Sequence, residues 1–148
     1  MTPTTSKAIL AAAILTAGVA GGCVNASKDM KVNPQAQLDG TSWQLGKIGD
    51  QPVEEGAQPT LQFTQPGQVS GSGSCNRFSG TVTVSGESIS FGPLAATKMA
   101  CADSINAQET QYFYALSSAQ RFVLQGNSLQ IYTSAMDRPL LFVRMAPN

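Results

Sequence analysis

Apolar residues fall into two patterns along the chain, one continuous and one alternating. From Ala8 to Ala20 the chain runs without a charge (AILAAAILTAGVA), after a polar stretch whose one charged side chain is Lys7. That run is too short for a bilayer core of about 30 Å, which takes about 20 apolar residues, and small residues follow it in place of a basic cluster. The layout predicts an export signal over residues 1–22. Residues 24–38 (VNASKDMKVNPQAQL) hold no aromatic and no apolar period, which predicts a flexible tether over 23–38. Every aromatic, from Trp43 to Phe142, lies beyond it, so the folded domain is expected over 39–147.

Within that domain the apolar positions alternate in short runs separated by turn residues. Trp43, Leu45 and Ile48 open the first; Leu61 and Phe63 alternate in the second; Phe78 to Val84 follow a glycine-rich segment. Ile89 and Phe91 come after Ser85-Gly86-Glu87, and Phe122 and Leu124 are divided from Leu129, Ile131 and Tyr132 by Gly126-Asn127. Leu140 to Val143 form a last run. About seven to eight short strands near ten-residue spacing predict a mainly β, antiparallel barrel or sandwich. One segment departs from this. Asp103 to Gln120 contains no Gly or Pro, and Ile105, Tyr112, Phe113 and Leu116 recur at helical spacing. An α-helix is predicted there, before the last three strands, with Asn106 and Glu109 placed for a capping box or Asp103 or Ser104 serving as the cap. Its apolar stripe is expected to cover an open side or end of the sheet.

Composition narrows the chemistry. The chain has no His, which removes the usual general base and the commonest zinc ligand. Nine Lys plus Arg balance nine Asp plus Glu, with no basic run to bind a phosphate backbone. No catalytic residue, metal, cofactor or nucleic-acid partner is expected, and a monomer is. A Ser nucleophile lacks a base: Lys28, Lys31, Lys47 and Lys98 stand in no Ser-x-x-Lys context.

The three cysteines divide by context. Val19-Ala20-Gly21-Gly22-Cys23 ends the apolar run and resembles the lipobox of bacterial lipoproteins, with Ala20 where Leu is usual. The resemblance implies acylation (diacylglycerol and palmitate-type chains) of Cys23 and a mature chain that begins there; Val24, in place of Asp, fits sorting to the outer membrane on its periplasmic face. Cys75 and Cys101 remain, in a chain bound for an oxidising compartment. Without His or Cys-x-x-Cys spacing, a structural disulfide is the better reading, with free thiols the alternative. Around Cys75, the segment Gly71-Ser72-Gly73-Ser74-Cys75-Asn76-Arg77-Phe78-Ser79-Gly80 suggests a phosphate cradle but lacks the P-loop Lys and the final Gly of a dinucleotide fingerprint. Its glycines are read as serving positive φ and close backbone approach, with Asn76 bonding its own turn. Arg77 is the residue there with binding chemistry, as a carboxylate or phosphate fork.

Several of these segments together resemble the META domain of HslJ-like bacterial proteins: Leu38-Asp39-Gly40-Thr41-Ser42-Trp43-Gln44-Leu45, Pro59-Thr60-Leu61-Gln62-Phe63, and Gly73 to Gly80. Phe91 to Cys101 (FGPLAATKMAC) and the spacing of Glu109, Tyr112 and Leu116 continue the resemblance to about Arg144. Ser74 departs from it, standing where Gly is usual. The resemblance implies a cracked β-barrel with one helix, envelope association, and a link to heat shock or antibiotic stress. The expected function is a non-enzymatic outer-membrane lipoprotein that binds an envelope partner. The alternative is a carrier of a small hydrophobic ligand or lipid, with Tyr112, Phe113 and Leu116 lining its site.

Overall fold

The computed structural model describes residues 33–147. The export signal, Cys23 and most of the expected tether therefore lie outside the described residues. The last part of that tether is folded. Asn33 caps a short helix, α1 (Pro34–Leu38), by accepting a hydrogen bond from Gln35 N, and Leu38 is fully buried. One buried leucine at the end of a polar segment has no periodicity to announce it, which is why the pattern of aromatics places the start of the fold too late.

Ten strands follow: β1 (Ser42–Ile48), β2 (Gln51–Pro52), β3 (Thr60–Gln65), β4 (Gln68–Ser72), β5 (Arg77–Ser85), β6 (Ser88–Phe91), β7 (Ala95–Ala96), β8 (Ala119–Gln125), β9 (Ser128–Thr133) and β10 (Leu140–Arg144). Helix α2 (Asp103–Ser117) sits in sequence between β7 and β8. Eight of the strands close an antiparallel barrel in the order β10-β9-β8-β6-β5-β4-β3-β1, with β1 pairing back onto β10. The two-residue strands β2 and β7 attach to β1 and β5. Of the barrel or sandwich that the alternation leaves open, the chain forms the barrel that the family resemblance implies, mainly β and with helix α2 before its last three strands. Its thinnest seam is between β6 and β8, joined by the single pair Ser88–Arg121.

Alternation places one set of side chains inside: Leu61 and Phe63 on β3, Ile89 and Phe91 on β6, Leu129, Ile131 and Thr133 on β9. On β1 the inward positions are Trp43, Leu45 and then Ile48, a break in the period of two. The register against β10 shifts between Leu45 and Lys47, so a bulge at Gly46 absorbs one residue and returns Ile48 to the core.

Strand β4 is the element that the pattern does not announce. Its residues, QVSGS, carry one large apolar side chain, Val69, and run into what reads as a glycine-rich turn. Gly71 is required there for space. A Cβ at this position would overlap the Thr60 carbonyl oxygen and sit 2.8 Å from the Phe78 ring, so Phe78 fills the inward space of two positions. The glycine-rich segment is thus two strands joined by a tight connection over residues 73–76.

Candidate functional site

That connection is tied to the helix and to the loop before it. Cys75 and Cys101 form a disulfide with a Cα–Cα separation of 6.0 Å, fixing the β4–β5 connection to the segment that leads into α2. Closing a loop with a sequence separation of 26 stabilises the fold by about 3.5 kcal/mol in the chain-entropy treatment.

Beside the disulfide, Glu109 reaches from α2 into the connection. Its Oε2 accepts from the backbone N–H groups of Cys75 (3.1 Å) and Asn76 (2.6 Å), and its Oε1 accepts from Asn76 Nδ2 (2.5 Å). Glu109 is buried, so these three N–H donors replace water around the carboxylate. Gly73 faces the same carboxylate: a Cβ there would lie 2.5 Å from Oε2. Asn76, also buried, completes the latch. Its Oδ1 accepts from Met99 N at 2.7 Å and from Thr97 Oγ1 at 2.9 Å, joining the loop after β7 to the helix.

Three expectations are corrected by this geometry. The helix starts at Asp103 with Ala102 as its N-cap and no side-chain cap, and Asn106 Nδ2 donates to the Cys101 carbonyl, so there is no Asn106–Glu109 capping box. Glu109 lies on the buried stripe with Tyr112 and Leu116, and its carboxylate is taken by the β4–β5 connection. The Asn76 side chain bonds the helix and the β7 loop, and its own turn is closed instead by its backbone carbonyl, which accepts from Gly73 N at 2.8 Å. The residue of positive φ in the segment is Ser74, at φ 98°, and not Gly71 or Gly73. Glu109 was visible in the sequence as a charged residue on an apolar stripe; its partner could not be read, because the two are 33 residues apart.

The residues proposed for contact separate into two groups. Tyr112 and Leu116 are fully buried and close the barrel beneath α2. The Phe78 ring meets Tyr112 edge-on at 6.1 Å and Phe113 at 5.3 Å, and Tyr112 touches Phe142 at 6.2 Å. The Tyr112 hydroxyl donates to the Thr60 carbonyl at 3.2 Å, and burial pushes its phenol well above the ordinary range. Arg77 is elsewhere: it precedes Phe78 on β5, so alternation turns it to the outer face, where it is exposed between two shallow recesses. It is not brought to the aromatic group.

The stretch of chain that builds this barrel, its helix and the β4–β5 connection matches a known family. The family model for the META domain covers residues 36–146. The chain belongs to the META domain family. Among solved META-like structures, an NMR structure of a protein from Burkholderia xenovorans is 30% identical, with a TM-score of 0.64 over 76% of this chain and 87% of that one. A second NMR structure is 27% identical, with a TM-score of 0.62 over 75% of this chain and 94% of that one. A crystal structure of a DUF4847 family protein from Bacteroides vulgatus shares the fold alone, at 13% identity and a TM-score of 0.56, over 78% of this chain and all of that one. No curated protein sequence matches the chain.

Proposed function

We propose that this META domain works by surface contact, as a non-enzymatic protein held at the cell envelope by a lipid on Cys23 and supporting envelope integrity under heat or antibiotic stress. The observation that carries this reading is the filled barrel. Trp43, Phe63, Tyr112 and Phe142, with eight Leu and Ile side chains, are each less than 2% exposed and occupy the interior. A hydrophobic cargo would have to displace Tyr112 or Leu116, so the carrier alternative is the weaker one. What remains for recognition is the outside, where Met99 and Tyr114 are the large apolar side chains exposed near α2, at 60% and 64%. The anchor rests on the lipobox-like sequence before Cys23, and the Cys75–Cys101 disulfide fits an exported chain.

Two measurements test the reading. Cys23→Ser is expected to move the protein from the membrane to the soluble fraction; retention after high-salt and carbonate washing would end the lipid-anchor proposal. A photo-crosslinking residue at Met99 or Tyr114 in the lipid-bearing protein is expected to capture one defined envelope partner. Loss of that adduct when the residue is moved to exposed Gln125, away from α2, marks it as specific, whereas indiscriminate adducts at every position count against contact function.

A further inference from the structure

Between β7 and α2 the chain is both exposed and fixed. Residues 97–102 form no helix, turn or bend, and Ala102, at φ −56° and ψ 144°, still has an extended backbone where the helix begins. Every residue from Thr97 to Ser104 is exposed. Loops this open are commonly mobile, but this one is anchored at every second residue. Thr97 N donates to the Arg77 carbonyl at 3.0 Å, and Thr97 Oγ1 accepts from Arg77 N at 3.2 Å and donates to Asn76 Oδ1 at 2.9 Å. Met99 N donates to the same Asn76 oxygen at 2.7 Å, and Cys101 is bonded to Cys75.

The anchors leave Lys98 as the residue on offer. In an extended chain the backbone N–H and C=O groups of successive residues point to opposite sides. With Thr97 N and Met99 N both turned to the start of β5, the peptide groups of Lys98 between them are turned away from the barrel. Lys98 enters no hydrogen bond and no ion pair among the described residues. Its neighbours keep the segment narrow: Ala95 and Ala96 lie before Thr97, and Ala100 and Ala102 follow Met99.

A narrow, extended segment with one cationic side chain and free peptide groups suits a cleft rather than a flat partner. Clefts that take an extended chain bind its main chain by hydrogen bonds and select its side chains in pockets, and in endopeptidases that cut after basic residues the main pocket ends in a carboxylate. A segment already fixed in the bound shape loses little conformational freedom on docking.

We propose that residues 95–102 occupy the cleft of a serine endopeptidase that cuts after basic residues, with Lys98 in its main pocket, and inhibit it as a substrate whose products do not leave. The enzyme's serine oxygen bonds to the Lys98 carbonyl carbon as the Lys98–Met99 C–N bond breaks, and the serine proton passes through the enzyme's histidine to Met99 N. That amine is kept beside the new ester by Asn76 Oδ1 and by the disulfide two residues on. It therefore attacks the ester, re-forms the peptide bond and returns the proton to the serine faster than water hydrolyses the ester. The inference rests on the contact reading, for which it names the class of partner, and it does not depend on the lipid anchor.

The test is inhibition of trypsin, with chymotrypsin beside it, by the exported chain carrying Cys23→Ser so that it stays in solution, followed by the mass of the recovered chain. The expected result is reversible inhibition of trypsin with a Kd of about 1 μM or below, the Lys98–Met99 bond staying intact, and no inhibition of chymotrypsin. Lys98→Ala is expected to weaken inhibition about 100-fold, as loss of a central anchor does, and Lys98→Leu to transfer it to chymotrypsin, whose pocket is apolar. Lys98 is exposed and unbonded among the described residues, so both variants should keep the parent Tm. Thr97→Ala leaves Lys98 in place and removes one anchor, and should speed cleavage after Lys98 about five-fold. The proposal is overturned if trypsin is not inhibited, if it cuts the parent after Lys98 as an ordinary substrate, or if Lys98→Ala inhibits as the parent does. Uninhibited trypsin together with a defined adduct from Met99 to an envelope protein that is not a peptidase would overturn this inference and leave the contact reading standing.

Discussion

Ser74→Gly is expected to stabilise this domain, although it removes a side chain. Ser74 holds φ at 98°, where a Cβ is strained at a cost of about 1–2 kcal/mol. Its backbone N–H is well placed, donating to Ser72 Oγ at 3.1 Å, so the conformation is imposed by the β4–β5 connection. Its own hydroxyl oxygen is buried and has no hydrogen-bond partner among the described residues, which costs about 1 kcal/mol or more. Glycine removes both penalties. Against this stands the greater backbone freedom of glycine in the unfolded chain, about 0.5–1 kcal/mol. The balance is a gain of about 1–2 kcal/mol, or a rise in Tm of about 4–8 °C for a domain of this size. Ser74→Ala isolates the terms, since it removes the hydroxyl and keeps the Cβ; it should recover about 1 kcal/mol at most. The assay is reversible thermal and urea unfolding with the Cys75–Cys101 bond confirmed intact. A Tm for Ser74→Gly at or below that of the parent would refute the reasoning, and so would a larger gain for alanine than for glycine.

Two further outcomes follow from the same region. Glu109→Ala leaves two backbone N–H groups and the Asn76 amide without their acceptor in a buried site, and should cost about 3–4 kcal/mol in urea unfolding; a loss below about 1 kcal/mol would mean that the latch contributes little. Tyr112 gives an alkaline signature. Its folded phenol resists ionisation while the unfolded one ionises near 10, so its contribution is fully present below about pH 10 and is lost as pH rises above it. Tyr112→Phe should cost about 1 kcal/mol at neutral pH through the lost bond to the Thr60 carbonyl, and should flatten the fall in Tm between pH 9 and pH 11; an unchanged alkaline slope would place that sensitivity in other groups.

The barrel was largely legible along the chain because a barrel wall repeats every two residues and a covering helix every three to four, and both periods survive in Leu61-Phe63, Leu129-Ile131 and Tyr112-Leu116. The cysteine pair was legible as the better of two readings, disulfide over free thiols, from the expected export and the lack of metal-ligand spacing. The departure of Ser74 from the family pattern was also visible, but not its meaning, because a backbone angle has no sequence period. What only the tertiary structure decided are the contacts between residues far apart in sequence. Strand β4 became a strand because Phe78 supplies the bulk that Gly71 lacks. Leu38 joined the core because the closed barrel leaves a place for it. Glu109 and Gln108 look like a polar interruption of an apolar stripe, and folding treats them differently: one is satisfied by the N–H groups of Cys75 and Asn76, while the other accepts from Glu54 N and leaves its Nε2 buried without a partner among the described residues. A sequence records which polar groups sit on a buried face; only closure of the barrel under α2 determines which of them find partners.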